Sequence, residues 1–270
     1  FCCSSASTAS CTPIYSEVTS LDRGDGVALA YAHTPGNAPC VVFLPGFMSD
    51  MTGDKALAVQ AWCQAKGFGC LRLDYSGHGA SGGAFTDGCI GTWTNDALFL
   101  IEHLTTGPLI LVGSSMGGWI ALNLALRLGA RVAGLIGIAA APDFIETLMW
   151  PAFTAAQRTT LMQEGELRLP SDYGGEQIIT RRLIEDGRTH LRLTAPIPLQ
   201  CPVRLLQGQR DPDVPWPTAL RLAERLETGD VRVVLIKDGD HRLSRPQDIA
   251  VLCEMVGEMC EAAKEKSASF

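Results

Sequence analysis

A chain of 270 residues is long enough to bury one large α/β core without disulfide or metal support. Hydrophobic residues make up 46% and charged residues 19%, a balance that excludes disordered and fibrous proteins. The net charge of -7, with no cluster of Lys and Arg, argues against nucleic acid as a partner.

Residues 1–15 are Ser-rich and read as a disordered or processed segment outside the fold. Ser16 to Leu21 and Val27 to His33 predict a hairpin around R-G-D-G, whose D-G dipeptide is the turn signal. Cys40 to Leu44 predicts a buried strand. It runs into Pro45-Gly46-Phe47-Met48, a turn that would leave the Phe47 N–H free to face a ligand as one half of an oxyanion hole. Lys55 to Lys66 has helical spacing, and Cys70 to Leu73 predicts the next strand.

Gly77-His78-Gly79-Ala80-Ser81-Gly82 then matches G-x-G-x-x-G, the pattern of dinucleotide folds. The context fails, because Gly83, Gly88 and Gly91 keep the segment in loop where a true fingerprint opens a helix at once. Thr92 to Leu104 is helical. Leu109 to Val112 is a strand buried on both faces, and from Trp119 onward the apolar residues recur at helical spacing. Between them lies Gly113-Ser114-Ser115-Met116-Gly117, a G-x-S-x-G turn that presents Ser115 at a helix N-terminus.

Val132 to Ile138 is a further buried strand. The apolar run to Ala141 is about half of a membrane span and stops at Pro142, so no membrane crossing is expected. From 143 to 200 no strand-like run is visible, only helix-like pieces such as Ala155 to Glu164 and Gln177 to Asp186. This predicts a helical cap over the ligand site, inserted into a core formed by 16–142 and 201–266. Val203 to Gln207, Leu220 to Leu226, Val231 to Ile236 and Gln247 to Ala263 resume strand, helix, strand, helix, with Ser244 and Gln247 as the expected capping box of the last helix. The alternation implies a parallel sheet covered on both faces. Ten cysteines without a C-x-x-C pair, most of them in apolar segments, read as reduced packed thiols of an intracellular protein.

A serine hydroxyl needs a base to take its proton and a carboxylate to hold that base. His241 follows the final strand in K-D-G-D-H-R and lies after the serine in chain order. His78 precedes it, in the glycine loop. Asp211 follows the strand Val203 to Gln207, and Pro212 and Pro215 fix its turn; Asp213 and Asp143 remain alternatives. No metal-ligand spacing occurs, and the chemistry requires no cofactor.

With these residues in place the chain resembles the serine α/β-hydrolases, and within them the branch of mitochondrial palmitoyl-protein thioesterases and acyl-glucuronide esterases with its bacterial relatives. The resemblance rests on L-P-G-F (44–47), K-A-L-A (55–58), D-Y-S-G-H-G (74–79) and G-S-S-M-G-G-W (113–119). It continues through P-I-P (196–198), C-P-V-R-L-L-Q-G (201–208), D-V-P-W (213–216) and D-H-R (240–242). It implies a mostly parallel eight-stranded sheet, a triad of Ser115, Asp211 and His241, and oxyanion donors from the Phe47 and Met116 backbones. The expected enzyme is a monomeric, cofactor-free serine hydrolase of ester or thioester bonds, acting on small-molecule or acyl-protein substrates in the mitochondrion or cytoplasm. Phe144, Leu148, Met149, Trp150 and Phe153 are expected to bind the acyl group. Two alternatives are a carbon-carbon bond hydrolase with the same triad and a non-catalytic binding protein, the latter disfavoured by an intact triad.

Overall fold

The computed structural model describes residues 17–170 and 176–268, so the segment 1–15 lies outside them. The chain opens with β1 (Thr19–Asp22) and β2 (Ala28–Thr34), paired antiparallel around the R-G-D-G turn, then β3 (Asn37–Leu44), α1 (Asp54–Lys66) and β4 (Phe68–Leu73). Next come α2 (Ile90–Leu104), β5 (Leu109–Ser114), α3 (Met116–Leu128) and β6 (Val132–Ile138). The insertion holds a π-helical turn at Ile145–Met149 that continues into α4 (Trp150–Ala152), then α5 (Ala155–Glu164), β7 (Glu166–Pro170), β8 (Glu176–Thr180) and α6 (Arg181–Thr189). The core resumes with β9 (Val203–Gly208), α7 (Pro217–Arg225), β10 (Val231–Ile236) and α8 (Pro246–Ala268).

Eight strands form one sheet in the order β1-β2-β4-β3-β5-β6-β9-β10, antiparallel at β1-β2 and β2-β4 and parallel elsewhere. The parallel strands are apolar at successive positions because both faces are covered. On β3 and β5, Val42, Leu44, Leu109 and Leu111 pack with α2 and α3, whereas Val41, Phe43, Ile110 and Val112 pack with α1 and α8. Parallel register aligns the carboxyl ends of the strands: Leu44 and Gly137 flank Gly113, and Gly208 pairs with Ile236. The loops that leave those ends therefore meet at one edge.

Two expectations need correction. The insertion is not purely helical: β7 and β8 form an antiparallel pair, with Leu167 opposite Ile179. The predicted helix Gln177 to Asp186 is a strand as far as Thr180, whose hydroxyl accepts the Leu183 N–H at 3.0 Å and starts α6 only at Arg181. The β-branched pair Ile178-Ile179 suits a pleated surface, but five residues are too few to separate period two from period 3.6. The second correction concerns α8, which Ser244 does not cap. Its hydroxyl donates to the Arg242 carbonyl, and Asp248 accepts the Arg245 N–H at 3.3 Å, one residue further on. The insertion does contain a capping box, between Thr154 and Gln157 at the start of α5.

Asp143 closes the base of the insertion. Its buried carboxylate accepts the N–H groups of Arg192 and Leu193 at 2.7 Å each, tying the point where the chain leaves the sheet to the point where it returns. Burial raises its pKa, partly offset by those two donors.

Candidate active site

Ser115 sits between β5 and α3 in a conformation L-residues rarely adopt, with φ 53° and ψ -118°. The turn is held from the neighbouring strand: the Ser115 N–H donates to the Ile138 carbonyl at 2.9 Å, and the Ser115 carbonyl accepts from Ala141 at 3.1 Å. Its glycines are required by space. A Cβ on Gly117 would stand 2.1 Å from the Leu44 carbonyl oxygen, and one on Gly113 would stand 2.3 Å from the Gly117 oxygen. A Cβ on Gly46 would lie 3.3 Å from that of Ser115, so the turn leaving β3 presses against the serine. In that turn the Ser49 N–H donates to Gly46 at 3.2 Å and Met48 takes a φ of 55°. Phe47 and Met116 thus flank Ser115, one in the turn and one at the first position of α3.

His241 arrives from the loop after β10. Its Nε2 lies 3.2 Å from Ser115 Oγ, and its Nδ1 lies 2.8 Å from Asp211 Oδ2. The Asp211 side chain is 0% exposed and that of His241 18% exposed. Four donors converge on the Asp211 carboxylate. Oδ1 accepts the N–H groups of Asp213 at 2.9 Å and Val214 at 2.8 Å, and Oδ2 accepts Gln207 Nε2 at 2.9 Å besides the imidazole. A carboxylate so surrounded is fixed in orientation, and as a hydrogen-bond acceptor it holds the proton on Nδ1. Nε2 is then the acceptor for the serine hydroxyl. Among the described residues, the His, Cys and acidic atoms close enough to hold a metal are those of Asp211, Asp213 and His241, within 4.8 Å of one another. The 2.8 Å bond already engages Nδ1, so the group is built as a hydrogen-bonded pair.

Residues 41–252 match the alpha/beta hydrolase family. The chain belongs to that family. It is 37% identical over 243 residues to human palmitoyl-protein thioesterase ABHD10, mitochondrial, covering 89% of this chain and 79% of that protein, and 39% identical to the mouse protein, covering 89% and 82%. The solved structure of mouse alpha/beta hydrolase domain-containing protein 10 superposes with a TM-score of 0.84 at 37% identity, over 91% of this chain and 99% of that one. A crystal structure from Agrobacterium vitis S4 gives a TM-score of 0.86 at 43% identity, over 92% and 100%.

Within this hydrolase the three candidate acids separate cleanly by contact. Asp211 meets the histidine, Asp213 is exposed beside it, and Asp143 is spent on the base of the cap. Of the cap residues, Phe144 reaches the site edge: its ring stands 5.9 Å from Phe47 and 5.8 Å from Trp119, both edge-on. Trp150 is instead clamped within the cap, with the guanidinium groups of Arg188 and Arg158 at 4.6 and 5.3 Å from its ring. Phe153 is buried against Trp150, and Leu148 is half-buried in the π-helical turn.

Sequence reasoning missed Phe85 and Trp93, whose rings both pack edge-on to Phe47 at 5.2 and 6.0 Å and so brace the turn. Aromatics from three separate segments carry no shared spacing, so nothing in the chain marks them as one wall. The glycine loop proves structural. Gly77 and Gly79 have φ of 72° and 48°, a Cβ on Gly79 would stand 2.1 Å from Asp74 Oδ2, and Asp74 pins the loop by accepting from Met51 at 2.7 Å and Ala80 at 2.9 Å. His78 is buried against Trp93 and Phe85, with Nδ1 3.2 Å from the Ser76 carbonyl; burial lowers its pKa.

Proposed function

We propose that this alpha/beta hydrolase cleaves acyl thioesters and esters through an acyl-Ser115 intermediate, with His241 as general base and Asp211 as its orienting acid. The relay from Ser115 Oγ to His241 Nε2 at 3.2 Å and from Nδ1 to Asp211 at 2.8 Å carries this reading. As Oγ attacks the acyl carbonyl carbon, Nε2 takes the hydroxyl proton and Asp211 stabilises the imidazolium. The carbonyl oxygen becomes an oxyanion against the Phe47 and Met116 N–H groups, where one well-placed donor is worth about 3 kcal/mol. Collapse expels the thiolate or alkoxide, which takes the proton from Nε2. Water then repeats the sequence on the acyl-serine, giving its proton to His241 and releasing the carboxylic acid and free Ser115.

The partly exposed rings of Phe47, Phe85 and Phe144, backed by the buried Trp93 and Trp119, form an apolar surface beside the oxyanion turn that suits a long acyl group. The palmitoyl-protein thioesterase name of the relatives supports an acyl-protein thioester as the substrate class, and their mitochondrial names support an intracellular compartment. Seven cysteines of the described residues are free thiols, as such a compartment permits. Among the described residues no helix is long and apolar enough to cross a membrane.

A fluorophosphonate probe should label the wild type and leave Ser115→Ala unlabelled, and a palmitoyl thioester should be turned over faster than an acetyl thioester of the same thiol. Labelling of Ser114 in the Ser115→Ala protein would overturn the nucleophile, and equal rates for both chain lengths would overturn the acyl preference.

A further inference from the structure

The loop that carries His241 is fixed largely by its own residues. Asp240 accepts the Leu243 N–H at 3.0 Å, and Leu243 takes a φ of 46° to bury its side chain in the core facing α1 and α8. Arg245 bridges Asp238 at 2.7 Å and the fully buried Asp248 at 2.8 Å. Ties also come from elsewhere in the fold: the Arg210 N–H, from the loop after β9, donates to the Gly239 carbonyl at 2.9 Å, and a second comes from α1. Lys55, at the start of α1 and 187 residues away in sequence, donates from its ammonium to the carbonyl of Arg242, the residue next to His241. The same nitrogen reaches Ser244 Oγ at 3.5 Å, so it grips both arms of the turn.

This ammonium is held at a cost. Lys55 is half-buried, and burial draws its pKa down to about 8 against the attraction of Asp240, Asp54 and Asp248 and with the repulsion of Arg242. A methionine of similar length would fill the space without desolvating a charge, so packing alone does not account for a cation here. What only the cation supplies is a charge-assisted donor to the backbone beside the base.

We propose that Lys55 is a positioning residue: by holding the Arg242 carbonyl, its ammonium keeps the His241 ring on Ser115. The proposal rests on His241 being the general base. Its consequence is an alkaline limit to turnover that belongs to Lys55. Below about pH 8 the ammonium is charged and the loop is held; as pH rises through that value the charge is lost, the donor weakens and turnover falls.

The test is kcat and KM against pH on one ester for wild type, Lys55→Arg, Lys55→Met and His241→Ala, each checked by thermal melt across the range. Wild type should lose kcat above about pH 8 with KM little changed. Lys55→Arg stays charged beyond about pH 12, so its alkaline limb should move up by about two units or more. Lys55→Met should lose about 10- to 100-fold in kcat at neutral pH and show no such limb, as a misplaced catalytic group does. An alkaline limb at the same pH in Lys55→Arg overturns the proposal, and that variant decides the matter even if Lys55→Met does not fold. His241→Ala separates the two claims. Wild-type turnover in that variant would remove the general base and the proposal with it. An inactive His241→Ala, with both Lys55 variants following the wild-type profile, would remove the Lys55 proposal alone.

Discussion

Replacing Asp211 by Asn is the sharpest probe of the relay, because the outcome follows from counting donors. Four N–H groups point at the two carboxylate oxygens, and an amide has only one oxygen. If its nitrogen took the Oδ1 place it would face the N–H groups of Asp213 and Val214, which are backbone and cannot turn away. Two unpaired donors at about 1–3 kcal/mol each make that orientation the worse one. The nitrogen therefore takes the Oδ2 place, facing His241 and Gln207, which can both adapt. Gln207 has a buried Oε1 without a hydrogen-bond partner, and turning its amide offers that oxygen to the new NH2 while giving up the 3.1 Å bond to the Val214 carbonyl. His241 adapts by moving its proton to Nε2, so that Nδ1 accepts.

The fold then survives and the chemistry does not. With the proton on Nε2 the ring donates toward Ser115 and cannot accept its proton. An acid-to-amide change of this kind costs about 10⁴ in turnover in a serine triad, or about 5 kcal/mol of barrier. Asp211→Asn should show that loss in kcat/KM on an activated ester, with a melting temperature close to wild type. Asp213→Asn, at an exposed carboxylate that lends only its backbone N–H to Asp211, should lose less than about tenfold. A crippled Asp213→Asn, or an Asp211→Asn within about tenfold of wild type, would refute the reasoning.

Other substitutions test the frame around the relay. Gly117→Ala places a methyl 2.1 Å from a backbone oxygen and should abolish fluorophosphonate labelling, and a labelled, folded variant would show that the elbow is looser than its contacts. Asp143→Ala strands two N–H groups at the base of the cap and should lower stability by about 2–4 kcal/mol in denaturant unfolding; an unchanged midpoint would mean that water replaces the carboxylate. Phe144→Ala should shift preference among acyl-chain lengths, because its ring meets Phe47. Trp150→Ala should instead lose about 1–3 kcal/mol of stability with a uniform effect across chain lengths, because its ring faces Arg158 and Arg188; the reverse pattern would exchange their roles.

What could be read before the structure was whatever the chain encodes locally. Strands β3, β5 and β6 contain apolar runs because both faces are covered, β9 and β10 are apolar apart from Arg204, Gln207 and Arg232, and each lies within a few residues of its predicted span. The elbow was legible for the same reason, since the serine, its glycines and the flanking strand and helix are contiguous. The cap was not, because β7 and β8 are five residues long and depend on each other for pairing. A strand whose partner lies across a turn is specified by the pair, and a window read along one segment sees only two isoleucines and charge.

The same distinction explains which parts of the site were legible. The residues of the proposed triad, Ser115, Asp211 and His241, each follow a strand, and chain order together with the resemblance pointed to them, although sequence alone left Asp213 and Asp143 open. Asp213 closes the turn around Asp211, and Asp143 follows β6 just as Asp211 follows β9, so choosing between them needs the third dimension. Lys55 was hidden more completely. On α1 it has the look of any helical surface lysine, and its contact with the Arg242 carbonyl exists only because α1 and α8 pack side by side on one face of the sheet. Residues that react are announced by their own surroundings in the chain, whereas residues that hold them in place are announced by what the fold brings near. The second kind is where substitutions far from Ser115 should change turnover without touching substrate.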